Sequence, residues 1–492
     1  MTSVKEFFKN TSLFRIIYII DLFCCMISFV QLLGYVMLPF LFFWGLWLVF
    51  YNQRRYNTFF NMRFGIWIGA FMAVSLLGII FNITLSALLS VVGLLHMFIC
   101  FFVFYGMHTE PDFNFKKELY FLAYFIAIAT TILNTIGFFC LMFGVHFEWN
   151  YEDFYWINFP LYENRFTGVF FNPNLLGFLS VVGIVCCHIL HKDTFVHDLG
   201  KPKSNRVFLA ACGVTNVFSL ILSDSNAAFV LALGYVLIYV VYMFFDVKRK
   251  FSPSKLFLRI LTLIVVCAVI TGASMAFRTV FKAGFAVVNA KTNAIVDVLF
   301  NDKQIIDEIE NDQEIEEGVN GEASFEHENT NIDSGRFEMW DEGISLFKLS
   351  PVIGISYGNI VYYSGEYLNG VLQFDYNHYD LHNAFLTILV STGAIGALLF
   401  CIFGFRVAKH SAQHLFLQKT SYRYDVFPCL FAFLGAYMFY AFFEKALLYD
   451  VSFLVMWFWL FMGYLSCFIV RHEPELQNRY ILGKKRFTRA ML

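Results

Sequence analysis

Apolar runs of about 18 to 25 residues, each long enough to cross about 30 Å of hydrocarbon as a helix, recur along almost the whole chain. They fall near residues 13–32, 34–51, 64–81, 85–105, 119–144, 170–190, 206–223, 226–245, 257–277, 382–405, 425–443 and 447–470. The expected fold is therefore an all-α polytopic membrane protein with about 12 transmembrane helices. A hydrophobic content of 59%, with 15% charged residues over 492 positions and a mean hydropathy of +0.62, excludes a soluble globular domain.

Lys and Arg orient the chain, because cytoplasmic loops retain positive charge. Lys5, Lys9 and Arg15, then Arg54, Arg55 and Arg63, Lys116 and Lys117, the loops at 192–206, 248–259 and 406–423, and the tail with Lys484, Lys485, Arg486 and Arg489 alternate with nearly uncharged or acidic turns. Both termini are expected in the cytoplasm. Residues 1–277 would hold nine spans with an outer loop at 145–169. Residues 278–381 would form one long extracytoplasmic loop with short helices, 382–470 the last three spans, and 471–492 a basic cytoplasmic tail. The first apolar run follows Lys5 and Lys9 but is too long for a cleavable signal peptide, so it is expected to stay as the first span. The eleven cysteines lie mainly inside apolar runs and none lies in the long loop, which argues against disulfide and zinc frameworks. No cofactor or metal is expected. The net charge of −2 gives no basis for nucleic-acid binding.

The long loop changes character along its length. Residues 297–333 are rich in Asp and Glu with few aromatics, as in a solvated stretch; the acid spacing of a calcium loop is missing. From Ser334-Gly335-Arg336 to Leu349 the apolar spacing is helical and stops before Pro351. Arg336 then lies in a first helical turn, where exposed N–H groups and the helix dipole would help it hold an anion. The alternative is a surface Arg paired with Glu338 or Glu342.

Arg165 poses the same choice, since it can snorkel to the interface or pair with Glu163. Its sequel, Gly168 and then Asn172-Pro173-Asn174, supplies a cap and a first-turn proline, so a helix starts there. His382 stands at the start of the tenth run, two residues after Asp380. A histidine near a helix end is commonly a structural hydrogen bonder. With Asp380 to orient it, it could also serve as a general base.

Taken in order, Arg165-Phe-Thr-Gly168 with Asn172-Pro173-Asn174, Ser334-Gly335-Arg336, Pro351-Val-Ile-Gly354 with Gly358, and His382-Asn383 running on to Gly393 and Gly396 resemble the O-antigen ligase and polysaccharide polymerase superfamily. The resemblance runs from about Arg165 to about Gly396. It implies a metal-independent, lipid-carrier-dependent glycosyltransferase of surface or exopolysaccharide biosynthesis. Such an enzyme sits in the bacterial cytoplasmic membrane with its active site facing outward. Its donor would be an undecaprenyl-diphosphate-linked glycan and its acceptor a glycan or lipid-linked group, with a chain-length regulator and a flippase as partners. Arg165 and Arg336 would grip the diphosphate, and His382 would deprotonate or align the acceptor hydroxyl. Asn174 and Asn383 would contribute to substrate binding. One departure concerns the seventh and eighth spans. Family members often carry Ser-Arg there, whereas this chain has Ser223-Asp224-Ser225-Asn226, which leaves a third cationic contact unassigned. Polymerase and ligase use the same donor class and differ in acceptor. A transporter is the competing class, but it calls for internal repeats and mid-membrane ionisable groups. Asp21 is the only clear acid well inside an expected span.

Overall fold

The computed structural model describes residues 4–84, 86–151, 155–192, 197, 199–200, 205–244, 253–300, 336–368, 370–374, 377–378, 381–416 and 425–472. The acidic stretch and the basic tail lie outside the described residues. Each of the twelve apolar runs contains a helix. In chain order these are α1 (Thr11–Cys24), α2 (Gln31–Tyr56), α3 (Gly65–Phe81), α4 (Ala87–Ile99), α5 (Phe115–Met142), α6 (Pro173–His191), α7 (Arg206–Leu222), α8 (Asn226–Phe244) and α9 (Pro253–Phe300). Two short loop helices follow, α10 (Arg336–Leu349) and α11 (Asn359–Tyr367), and then α12 (Ala384–Phe416), α13 (Phe427–Tyr440) and α14 (Phe453–His472). Among the described residues, 8 helices are long and apolar enough to cross a membrane, and α3, α7 and α13 are shorter apolar helices. The chain is thus an all-helical, multi-pass membrane protein, and its strands are confined to short hairpins.

Position within the bundle follows from which faces are apolar. α14 is apolar all round, as a central helix must be; 89% of its most apolar stretch is buried, against 0% for that of α9. α14 packs on α13 and on the π and 3-10 turns, Cys100–Phe104 and Tyr105–Thr109, that end the fourth apolar run. α6 packs between α5 and α7, and α8 lies along α13. The ninth run was expected to end at 277, where Arg278 and Lys282 interrupt it. The helix instead continues to Phe300, because its next turns pack Phe281 against Phe218 and Phe285 against Phe138. His188 and His191 belong to the last turn of α6, and His188 shares a 2.6 Å hydrogen bond with Tyr235.

The two ends of the bundle are built differently. At the end holding the N-terminus of α1, Arg15 is fully buried between Glu110 (2.8 Å) and Glu118 (3.0 Å), with the Tyr464 hydroxyl donating to Glu118 at 2.9 Å. A buried guanidinium is tolerated only when paired in this way, and the cluster pins α1, α5 and α14 together. At the other end the connections are longer and fold back on the helices. Residues 350–358 run beside α12, whose helix breaks at Gly393. The freed carbonyls of Val390 and Ser391 accept the N–H groups of Ile355 (3.0 Å) and Ser356 (3.1 Å), and Ala394 and Ile395 donate to the carbonyls of Pro351 (2.8 Å) and Val352 (3.2 Å). These four bonds from the inserted segment satisfy backbone groups opened by the break, the condition for irregular backbone inside a membrane bundle. Gly354 (φ 76) and Gly393 (φ 64) make the approach feasible: a Cβ on either would come within 2.4 Å of the opposing backbone.

Candidate active site

Arg336, His382 and Glu444 meet at this second end, each brought by a different element. Arg336 opens α10. α10 is held down by Leu346, which is buried with Leu381 and Val390 in a small separate core, and by Trp340, whose Nε1–H donates to the Leu381 carbonyl at 3.0 Å. That bond fixes the residue immediately before His382. Asn383 then caps α12, its Oδ1 accepting the N–H groups of Phe385 and Leu386 at 3.0 Å each. His382, squeezed between the tie and the cap, adopts φ 40. The left-handed region is sparsely used by non-glycine residues, His being among the more tolerant, and here it turns the imidazole toward the loop joining α13 and α14.

That loop brings Glu444. Its Oε2 lies 3.3 Å from His382 Nδ1, and its Oε1 lies 3.6 Å from Arg336 Nη2. One carboxylate thus faces both groups, with 14% of its side chain exposed against 21% for Arg336 and 34% for His382. The loop is anchored by the Ala384 N–H donating to the Ala441 carbonyl at 2.8 Å and by Tyr357 stacking on Tyr449 at 4.8 Å. Asp380, the sequence candidate for orienting His382, lies outside the described residues. Arg336 does not pair with Glu342, whose carboxylate instead accepts from the Ser364 hydroxyl and from the Val371 N–H at 3.0 Å. Sequence reasoning missed Glu444. Its one signal was an acid in a short turn between two strongly apolar runs.

Arg165 is held in a second cluster. The hairpins β1–β2 (Phe147–Tyr151 with Tyr155–Phe159) and β3–β4 (Leu161–Tyr162 with Arg165–Phe166) fold the loop before α6 back onto the bundle, where Phe166 stacks on Phe138 at 4.7 Å. Arg165 Nη2 lies 3.3 Å from Glu163 Oε2, the local pairing that sequence alone allowed. Arg165 is only 5% exposed, however, and its Nε has no hydrogen-bond partner among the described residues. Burial pushes its pKa below the ordinary guanidinium value, partly offset by Glu163 and by Asp224.

Between the clusters lies the start of α6. Asn172 caps it, accepting the Asn174 N–H at 2.7 Å, and the preceding strand is tied to the end of α1 by Ser28 N–H to Val169 O (3.0 Å) and Phe171 N–H to Met26 O (3.2 Å). Asn174 is half-buried in the first turn. A cavity of about 490 Å³ runs from here to the turn after α13, lined by Met26, Tyr35, Phe171, Leu175 and Glu444 among others. A larger one, about 690 Å³, lies at the opposite end around Glu110 and Glu118 and contains none of the expected site residues. The structure therefore joins Arg336 to His382 through Glu444 and places Arg165 in a separate ion cluster across the α6 start.

Residues 211–401 match the family model for O-antigen ligase. Over that segment the chain is similar to the O-antigen ligase family. The matched stretch contains Asp224, Arg336 and His382, while Arg165 and Glu444 lie on either side of it. No curated protein matches the chain significantly. The match suggests a glycan-processing function of the O-antigen ligase or polymerase type, with lipid-linked glycan substrates, and the helical framework is that of a multi-pass membrane protein.

Proposed function

We propose that the chain is a membrane glycosyltransferase that transfers or polymerises undecaprenyl-diphosphate-linked oligosaccharide units in surface polysaccharide assembly, at the outer face of the cytoplasmic membrane. The observation that carries this reading is the contact of Arg336 and His382, far apart in sequence, with the single carboxylate of Glu444. A carboxylate facing Nδ1 keeps the proton there, so that Nε2 is the nitrogen that would accept one. The acceptor hydroxyl would give its proton to Nε2 as its oxygen attacks the anomeric carbon. The bond from that carbon to the diphosphate breaks in the same displacement, and the electron pair leaves on the diphosphate oxygen. Arg336 and Arg165 neutralise this departing charge. Guanidinium contacts in a site shielded from water are strong enough to do so. A single displacement inverts the anomeric centre. The largely apolar cavity beside Glu444 would take the first isoprene units of the carrier, and the first turn of α6 with Asn174 would face the glycan.

The acceptor separates the polymerase from the ligase. A polymerase extends another lipid-linked glycan, and a ligase hands the chain to a different group. Either would work beside a flippase that delivers the donor, and a polymerase beside a chain-length regulator. Transport is the weaker reading, because Arg336, His382 and Glu444 gather at helix starts and in a connecting loop. Purified protein given a defined lipid-linked repeat should form longer or transferred glycan, and should do so in the presence of a chelator. Loss of turnover on chelation would contradict the metal-independent mechanism, and no carrier diphosphate released under any condition would contradict the enzyme. Deletion of the gene followed by sizing of the glycan decides the acceptor class: single repeat units indicate polymerisation, long chains left on the carrier indicate ligation.

A further inference from the structure

The hairpin β1–β2 presents an aromatic surface that the proposed reaction does not use. Side chains alternate along a strand, so directly paired residues share a face. Phe147 pairs with Phe159 and Trp149 with Ile157, which puts these four on one face, while Glu148 and Asn158 share the other. The apolar face is only partly covered by the protein. Ile157 and Phe159 are buried, Phe159 edge-on to Phe29 at 5.6 Å, whereas Phe147 and Trp149 are each 46% exposed.

What covers the exposed part follows from where it stands. Only 33% of the most apolar stretch of α5, and the same share of that of α2, is buried, so both helices turn a broad side to lipid. On α5 that side is the stripe Ile132, Ile136 and Phe139, all exposed at helical spacing, with Phe143 stacked on Phe139 just beyond the helix end. The chain then passes through exposed Val145 straight into Phe147. On the other flank Phe29, 6.2 Å from the Phe147 ring, leads into exposed Leu32, Leu33 and Val36 at the start of α2. The exposed rings of the hairpin thus continue a lipid-facing surface at the level where the helices end. Aromatic side chains, Trp above all, are suited to that level, where hydrocarbon gives way to headgroups. Glu148, on the opposite face, is exposed as well.

The hairpin is coupled to the loop that carries Arg165. The Asn158 carbonyl in β2 accepts the Thr167 hydroxyl at 3.2 Å, and the carbonyl of Pro160, just after β2, accepts the Thr167 N–H at 2.9 Å. The level at which β1–β2 sits is therefore passed to the strand holding Arg165, two residues before Thr167.

We propose that β1–β2 is a lipid-docking surface: Phe147 and Trp149 insert among the lipids at the membrane interface and set the depth of the Arg165 loop. The docking stands independently of the glycosyltransferase reading, and its effect on the donor rests on that reading.

The test is the emission of Trp149 in the purified full-length protein in phosphatidylcholine vesicles, taken as the difference between the parent protein and Trp149→Phe. Bromine atoms high on the acyl chains should quench this difference more than bromine atoms near the chain ends, and aqueous iodide should quench it little. Phe147→Trp adds a ring on the same face and should gain a component with the same pattern, so the result does not hang on one variant. Quenching by iodide and not by brominated lipid would put the hairpin in water, and quenching by neither would put it under protein; either overturns the docking surface. In the same vesicles, Phe147→Ser combined with Trp149→Ser should lower kcat/KM for a defined lipid-linked repeat severalfold, because a displaced cationic side chain is costly to the reaction, while Trp149→Phe stays near the parent. An unchanged kcat/KM in the folded double variant would overturn the link to Arg165. Absence of transfer by the parent protein itself would count against the glycosyltransferase reading and leave the quenching result to decide the docking.

Discussion

Replacing Glu444 by Gln keeps the shape of the contact with His382 and removes its charge. In the proposed reaction His382 becomes an imidazolium as the acceptor loses its proton, so the carboxylate 3.3 Å away stabilises the transition state and not the resting enzyme. At that distance the Coulomb energy is about 1.3 kcal/mol at the dielectric constant of water, ~80, and about 5 kcal/mol at an effective value of ~20. The imidazole is 34% exposed, which puts the pair toward the wet end of that range. A working figure of about 1.5–3 kcal/mol corresponds to a fall in kcat of roughly ten- to hundredfold. The donor KM should stay level or drop, because Arg336 loses a competing carboxylate at 3.6 Å and is freer to hold the diphosphate. Steady-state transfer with a defined lipid-linked repeat, varied in donor concentration, separates the two effects. A kcat within about threefold of the parent enzyme, or a large rise in donor KM at unchanged kcat, would refute the assignment of Glu444 to the histidine.

Other substitutions test neighbouring parts of the framework. His382→Ala should lower kcat by about two to four orders of magnitude, the range expected for a positioned general base, and leave donor binding in place, as direct binding measurements would check. Trp340→Phe removes the hydrogen bond to the Leu381 carbonyl while keeping most of the ring; a loss of about 1 kcal/mol in alignment should lower kcat severalfold without moving the melting temperature much. Asn383→Ala deletes the cap of α12 and should cost about 1 kcal/mol of stability, read as a lower melting temperature. Gly393→Ala drives a methyl to 2.3 Å from the Val352 carbonyl carbon at a positive φ, so little folded protein should be recovered from membranes.

The helices could be read from the sequence because a lipid-crossing helix needs one long apolar run, and every such run here contains one. The starts of α6, α10 and α12 were also legible, through Asn172-Pro173, the periodicity after Arg336, and His382-Asn383. What stayed hidden depends on tertiary folding. Glu444 looks like any acid in a turn; only the return of the chain after α13 to the head of α12 makes it the partner of His382. Arg278 and Lys282 break an apolar run and so read as its end. The helix continues through them because Phe281 and Phe285, on the same side, find aromatic partners on α7 and α5. The glycines at 354 and 393 were visible as a pattern, but their reason, a segment hydrogen-bonded into a broken helix, required both halves at once.

The most direct test of the central claim is the release of polyprenyl diphosphate from a defined lipid-linked oligosaccharide by purified protein, compared with its Arg336→Gln variant. The site described here predicts release coupled one-to-one to glycan transfer in the parent enzyme, and a fall of about ten- to a hundredfold in the variant, equivalent to about 1.5–3 kcal/mol of lost charge-assisted contact. Release by the variant at the parent rate would contradict it.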